Sequence, residues 1–476
     1  MRNLPNTAKF LALLLGIVAA MAASSPASAA TANTFGAEMF GISDGGQMQT
    51  EDAASMNRDL DAMAAAGARW LRVDVYWSSV QGAGPDSYDW SGPDRLIKAA
   101  SARGIKVLAF IGFAPPWARP AGSDQYHAPD AGKYATFAAK TAAHYAPMGV
   151  HAYEVWNEPN IGFWQPKPDP AAYTNLLKAA YPAIKSQDPA STVLIGGLSP
   201  ADTNDDKIPP VDFLKAIYAN GGKGYFDAVG HHPYCWPAIP GDQETWSAWY
   251  QMNQGAESLR SVMVANGDGD KKIWGTEFGA PTNGPSGSFV SEAEQAKAIS
   301  TGYAKWQTYD WAGPLFAYQA RDRGTTTDTR ENFFGLLRRD FSEKPAYAAY
   351  KAAAAAVAGG GTAPTTTSGG TAGTTTTVDA KGQGKGRGKV KGRVLAKGKK
   401  AVSGGHVKLR VYSKRHGHWR AASGWRHDKL NAHGRFSRSV KRLRSGRYRV
   451  RARYLGGPGT KPSADKSPTF KVAGSH

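Results

Sequence analysis

Eight short strand-like runs recur between residues 39 and 320, and helical patterns fill the intervals between them. The runs are MFGIS (39–43), WLRVDVY (70–76), KVLAFIG (106–112), AYEVWNE (152–158), TVLIGG (192–197), AVGHHPY (228–234), KIWGTEF (272–278) and PLFAYQA (314–320). Amphipathic stretches at 52–66, 93–103, 133–145, 172–186, 211–219, 291–308 and 345–357 separate or follow them. The runs are nearly continuously apolar, as expected of strands covered on both faces, so a parallel sheet under helices is the natural reading. Eight βα units in about 330 residues point to a closed (β/α)8 TIM barrel, whose chemistry sits at the carboxyl ends of the strands.

Two of those ends carry an acid. In HAYEVWNEPN (151–160), Glu158 stands where Pro159, which cannot donate to a ladder, closes the fourth strand. In KIWGTEFGAPT (272–282), Glu277 stands at the end of the seventh, before Gly279 and Pro281. Two carboxyl groups on rigid strands facing one cavity suit glycosidic bond cleavage: one protonates the leaving oxygen, and the other attacks or activates water. The bland alternative is a pair of structural strand-end acids, which burial without partners would make costly.

The motifs WNEP (156–159), HPY (232–234), TEFG (276–279) and RENFFGLLRRDFSEKPAY (330–347) occur in that order. With them the stretch from Phe40 to Tyr350 resembles the clan A (β/α)8 retaining glycoside hydrolases, most of all glycoside hydrolase family 39 and its exopolysaccharide-cleaving relatives. The resemblance implies Glu158 as acid/base and Glu277 as nucleophile, with retention of anomeric configuration and carboxyl groups about 5–5.5 Å apart. It implies that Asn157 bonds the sugar 2-hydroxyl, that Arg72 and Tyr234 support the Glu277 carboxylate, and that His232 borders the sugar subsite. Of two close carboxyl groups, the one with less support holds its proton more readily, which fits an acid at Glu158 and a base at Glu277.

Some residues admit plainer roles. Arg72 has a structural alternative as the ion-pair partner of Asp74. His231, His232 and Cys235 alternate along one strand and offer no converging set of three or four ligands, so no metal is expected. Cys235, the one cysteine of the chain, reads as a small apolar residue and excludes an internal disulfide. Trp77, Trp117, Trp164 and Trp236 follow strands two, three, four and six; Trp117, in GFAPPWARP, is the favoured sugar platform, and packing is the alternative for each. Family relatives carry a tryptophan near the end of strand eight, where this chain has Leu315-Phe316-Ala317-Tyr318, leaving Tyr318 or Phe316 to substitute.

Residues 1–29 read as a signal peptide: Arg2 and Lys9 precede an apolar stretch from Phe10 to Ala23, and Ala27-Ser28-Ala29 offers small residues for cleavage. That stretch is short for a membrane span, and no later segment offers about 20 uninterrupted apolar residues, so an exported product with no transmembrane span is expected. The catalytic domain occupies 30–357, a Gly/Thr-rich linker 358–389 and a small Ig-like β-sandwich 390–476. The formal charge of +20 is unevenly placed: residues 378–476 hold 28 Lys plus Arg against 3 acids. A run of charge is often only a solvated face, and the export signal argues against nucleic acid. The favoured partner of this basic domain is an anionic envelope polymer or acidic polysaccharide, with retention at the cell envelope.

Together these features describe a secreted retaining glycosidase that acts on a polysaccharide without a cofactor, since carboxyl groups supply both proton transfer and attack. Two alternatives belong to other classes: a non-catalytic carbohydrate-binding or cell-envelope structural protein on the same scaffold, and an anionic-polymer adhesin whose barrel is secondary.

Overall fold

The computed structural model describes residues 35–201, 206–358 and, in stretches broken by short gaps, 374–473. The expected signal peptide lies outside the described residues. Strands β1 (Phe40–Ser43), β2 (Trp70–Tyr76), β3 (Lys106–Gly112), β4 (Ala152–Asn157), β5 (Thr192–Leu198), β6 (Ala228–His231), β7 (Lys272–Phe278) and β8 (Ala312–Tyr318) pair in parallel in sequence order, and β8 returns to β1. The fold is the expected (β/α)8 barrel. Bounds of β2, β3 and β7 coincide with the apolar runs, while β6 stops at His231 instead of Tyr234, just ahead of Pro233, which has no N–H to give.

The helices begin where short polar side chains can take up free N–H groups. Asp52, Asp130 and Asp169 cap helices at Ala53–Ala66, Ala131–Tyr145 and Pro170–Gln187, and Ser291 forms a capping box with Glu294 ahead of Glu292–Trp306. Three short helices, Trp77–Val80, Ala248–Asn253 and Leu259–Ala265, were not expected, being too short to establish a helical period. The main core lies between strands and helices, and a second cluster, including Leu108, Leu194, Trp274 and Phe316, plugs the barrel interior. Among the described residues no helix is long and apolar enough to cross a membrane.

A second compact unit follows the barrel unit, the division falling between Ala363 and Pro364. It contains β9 (Thr374–Gly382), β10 (Gly388–Ala396), β11 (His406–Arg415), β12 (His418–Ala421), β13 (Arg426–Lys429), β14 (Arg435–Val440), β15 (Gly446–Tyr454), β16 (Ser463–Lys466) and β17 (Phe470–Val472). One sheet holds β9, β10 and β14, and the other holds the remaining six. Val378, Val394, Val407 and Val450 lie in one apolar cluster fed by both.

The expected linker of 358–389 is corrected in part. Residues 359–373 lie outside the described residues, but Thr374–Gly382 is a strand paired with β10 along its full length. Its composition suggested flexibility, yet Thr376, Val378 and Ala380 alternate inward and are buried, and threonine suits a pleated strand.

Candidate active site

A kink in the backbone brings two consecutive residues at the end of β4 into one cavity. Alternation alone would send Asn157 and Glu158 to opposite faces. Trp156, however, takes a left-handed φ of 70° and Glu158 one of 43°, conformations that cost a non-glycine residue energy and mark sites where geometry matters. The Trp156 ring turns toward the helix layer, against Tyr134 and Trp164, and its indole N–H donates to the Phe163 carbonyl at 2.6 Å. Asn157 and Glu158 both face the cleft. At β7 the register with β8 shifts between Gly275 and Phe278, which lets Glu277 follow the inward Thr276 into the same cavity.

The cleft holds about 890 Å³ at the carboxyl end of the barrel. On its floor Arg72 serves three acceptors: its Nε donates to Glu154 Oε2 at 2.5 Å, Nη2 to Asn157 Oδ1 at 2.9 Å and Nη1 to Glu277 Oε1 at 3.0 Å. Asp74 lies 3.6 Å from Nη1, so the structural pairing exists as a longer contact beside the others. Tyr234 donates to Glu277 Oε2 at 2.9 Å. His232 Nδ1 lies 2.8 Å from Glu158 Oε1 and 3.6 Å from Glu277 Oε2. Nδ1 thus stands between the two acids, and Nε2 is buried. Gly197 makes room for this ring, since a Cβ there would stand 2.1 Å from Nε2.

Burial works to lower the His232 pKa, but the charge of Glu277 and the hydrogen bond to Glu158 outweigh it and hold it above the usual imidazole range. Neighbouring His231, bonded to the Ala248 carbonyl, is pushed down to about 4 by burial. Burial, reinforced by Glu277, raises the Tyr234 phenol, which therefore stays a donor. At the rim, burial and then the charge of Asp74 push Asp44 up to about 7.

One oxygen of Glu158, one of Glu277 and a His232 nitrogen lie within 4.8 Å of one another. This trio, set at the ends of β4, β6 and β7, is a different set from the His231, His232 and Cys235 weighed in the sequence. Arg72 and Tyr234 already occupy the Glu277 carboxylate, and a guanidinium at 3.0 Å disfavours a cation there.

Other expectations are sorted by the same geometry. Tyr318 lines the cleft, beneath the Arg323 guanidinium at 5.3 Å, whereas Phe316 stacks on Trp274 inside the barrel. Trp117, the favoured sugar platform, is not among the cleft-lining residues. Its N–H donates to the Gln81 carbonyl at 2.8 Å and its ring packs edge-on against buried Trp77, so it braces the loop. The cleft's tryptophans are Trp236, beside Arg330, and the more exposed Trp246. Sequence reasoning missed Glu154, which is fully buried between Arg72 and Thr276 Oγ1 at 2.8 Å. The signal was available: an acid inside an apolar strand needs a cation.

Comparison with known proteins agrees with this architecture. Residues 27–313 match the family model described as Cellulase (glycosyl hydrolase family 5). Among solved structures, a family 39 glycoside hydrolase from Bacteroides cellulosilyticus is 21% identical, with a TM-score of 0.51 over 81% of this chain and 78% of that one. The family 39 enzyme of Xanthomonas axonopodis pv. citri gives 16%, 0.52, 85% and 92%. A family 5 enzyme (subfamily 18) of Streptomyces cattleya, solved with GlcNAc, gives 18%, 0.51, 69% and 81%. At these identities the likeness is one of fold. A chloroplastic β-amylase of Arabidopsis thaliana is 34% identical over 59 residues, 12% of this chain and 10% of its own length, so the chain matches only a small part of that relative. With well over half of its residues under the family model and a barrel of the same architecture, the chain belongs to the Cellulase (glycosyl hydrolase family 5) family.

Proposed function

We propose that this protein is a retaining glycosidase in which Glu158 is the acid/base and Glu277 the nucleophile. One observation carries the reading: oxygens of the two acids approach within 4.8 Å at the barrel mouth, near the spacing of about 5–5.5 Å for retaining pairs and below the 6.5–9.5 Å of inverting ones. The two acids are held differently: Glu277 accepts from Arg72 Nη1 and from the Tyr234 hydroxyl, while Glu158 meets His232 Nδ1 at 2.8 Å.

In the first step a Glu277 oxygen attacks the anomeric carbon as Glu158 passes its proton to the glycosidic oxygen, whose bond to that carbon breaks. A glycosyl ester on Glu277 results. In the second, Glu158 takes a proton from water, the water oxygen bonds to the anomeric carbon, and Glu277 leaves as carboxylate. Asn157 Oδ1 accepts from Arg72 Nη2, which leaves the Asn157 NH2 group to turn toward the sugar 2-hydroxyl. His232 orients Glu158, and Tyr318, Trp236 and Trp246 supply flat faces for sugar rings.

The substrate in this reading is a polysaccharide met outside the cell, and the basic second unit retains the protein on an anionic envelope polymer. A panel of polysaccharides, with product sizes read by mass spectrometry, tests it. At least one should be cleaved by the parent and not by Glu277→Ala; equal product release by both excludes the mechanism.

A further inference from the structure

The second unit carries one sheet face whose composition is unfavourable for folding alone. Along β11 and β15, Val407, Leu409, Val411, Tyr448, Val450 and Ala452 turn inward, so Arg410, Tyr412, Arg449 and Arg451 turn outward. Directly opposed positions place cation against cation: Arg410 faces Arg451, Arg451 faces Lys466, and Arg447 faces Lys471. Like charges directly across a strand pair are destabilising. Residues 378–476 hold three acids against these cations: Asp428 pairs with Arg438, Asp465 accepts from the Val378 N–H of the other sheet, and Asp379 belongs to β9.

Two aromatic rings sit within this cationic field. The Arg449 guanidinium lies 4.4 Å from the Trp419 ring and 5.9 Å from that of Tyr412, which Arg410 also approaches at 5.8 Å. Trp419 itself lies opposite Lys414. A face of repeated cations with half-exposed rings fits a polymer that offers anionic groups at intervals and flat apolar faces between them.

We infer that the outer face of β11, β12, β15 and β16, centred on Arg449, Arg451, Tyr412 and Trp419, is a docking site for an acidic polysaccharide. The choice of polysaccharide over other polyanions rests on the glycosidase reading of the barrel in the same chain. Holding a polysaccharide raises the effective concentration of its glycosidic bonds near the tethered barrel, without any new contact at the cleft.

Binding of the full chain to immobilised polygalacturonate, followed by biolayer interferometry over a range of salt, tests the site. Arg449→Glu/Arg451→Glu/Lys466→Glu should weaken binding about 100-fold and flatten its salt dependence. Lys389→Glu/Lys391→Glu/Arg393→Glu, an equal charge change on β10 of the other sheet, should weaken it less than about threefold. Tyr412→Ala/Trp419→Ala, which leaves the charge unchanged, should cost about 5–10-fold. Circular dichroism melting confirms that each variant is folded. Equal losses in the two charge triples would overturn the site in favour of diffuse net charge. So would absence of binding by the parent, or tighter binding to duplex DNA or phosphatidylserine vesicles at equal anion concentration. The inactive Glu277→Ala should bind as the parent does, so binding without hydrolysis of any glycan would refute the glycosidase reading and leave the docking site standing.

Discussion

Replacing Arg72 with lysine keeps the positive charge but removes the fork that holds the floor of the cleft together. The guanidinium reaches Glu154, Asn157 and Glu277 from three different nitrogens, at 2.5, 2.9 and 3.0 Å. An ammonium on a flexible stem cannot span the three from one point, so at least two of these bonds are lost. Each hydrogen bond to a charged group contributes about 1.5–3 kcal/mol, giving a loss of about 3–6 kcal/mol in a site where Arg72 is 1% exposed and solvent offers little screening. If the ammonium stays with Glu154, Glu277 loses its cation and Asn157 its orientation, and kcat/KM should fall about 10²–10⁴-fold at about 1.4 kcal/mol per decade. The assay is initial rate on whichever glycan the parent cleaves, with urea unfolding alongside. A variant within threefold of the parent in kcat/KM would refute the claim that the fork prepares the nucleophile. An unchanged unfolding midpoint would refute the bookkeeping.

Glu154→Gln should destabilise the barrel by about 3–5 kcal/mol in urea unfolding, because it removes one anion from a fully buried ion-pair network. Trp236→Ala should raise KM for a polymeric substrate about 2–10-fold with little change in thermal stability, whereas Trp117→Ala should lower the melting temperature and leave KM within twofold. The Asp44 carboxyl, pushed up to about 7 by burial and then by Asp74, holds its proton in the fold after the unfolded chain has lost it. Its stabilising contribution is therefore complete below about pH 4 and lost as pH rises to about 7, some 4 kcal/mol in all at 1.36 kcal/mol per unit. Asp44→Asn should lack that decline, so variant and parent stabilities should diverge steadily between pH 4 and 7; parallel curves would count against it.

Much of this architecture is legible in the residues because each local preference agrees with the global one. WLRVDVY, KVLAFIG and KIWGTEF are buried on both faces, and no other placement hides so many apolar side chains in seven residues. The two strand-end acids are legible for the opposite reason, since burial makes them costly unless something uses them. What escaped was set by geometry that strict alternation does not contain. The left-handed turn at Trp156 places Asn157 and Glu158 side by side, and the register shift before Phe278 does the same for Thr276 and Glu277. Glu154 was overlooked because an inward acid in mid-strand looks like part of the pattern until its cation arrives from β2. Trp117 misled because a ring in a loop above the barrel can face the cleft or the neighbouring loop, and only the bond to the Gln81 carbonyl decides. The threonines of 374–377 read as linker because their strand pairing is made with residues that follow them.

The double-displacement account is tested most directly by trapping its intermediate. A 2-deoxy-2-fluoro glycoside with a good leaving group, built on the sugar that the panel identifies, slows hydrolysis of the glycosyl ester more than its formation and lets the adduct accumulate. Peptide mass spectrometry should then place one fluorosugar on the segment KIWGTEFGAPT, at Glu277. An adduct on Glu158, or product released with inverted anomeric configuration and no adduct, would contradict the account.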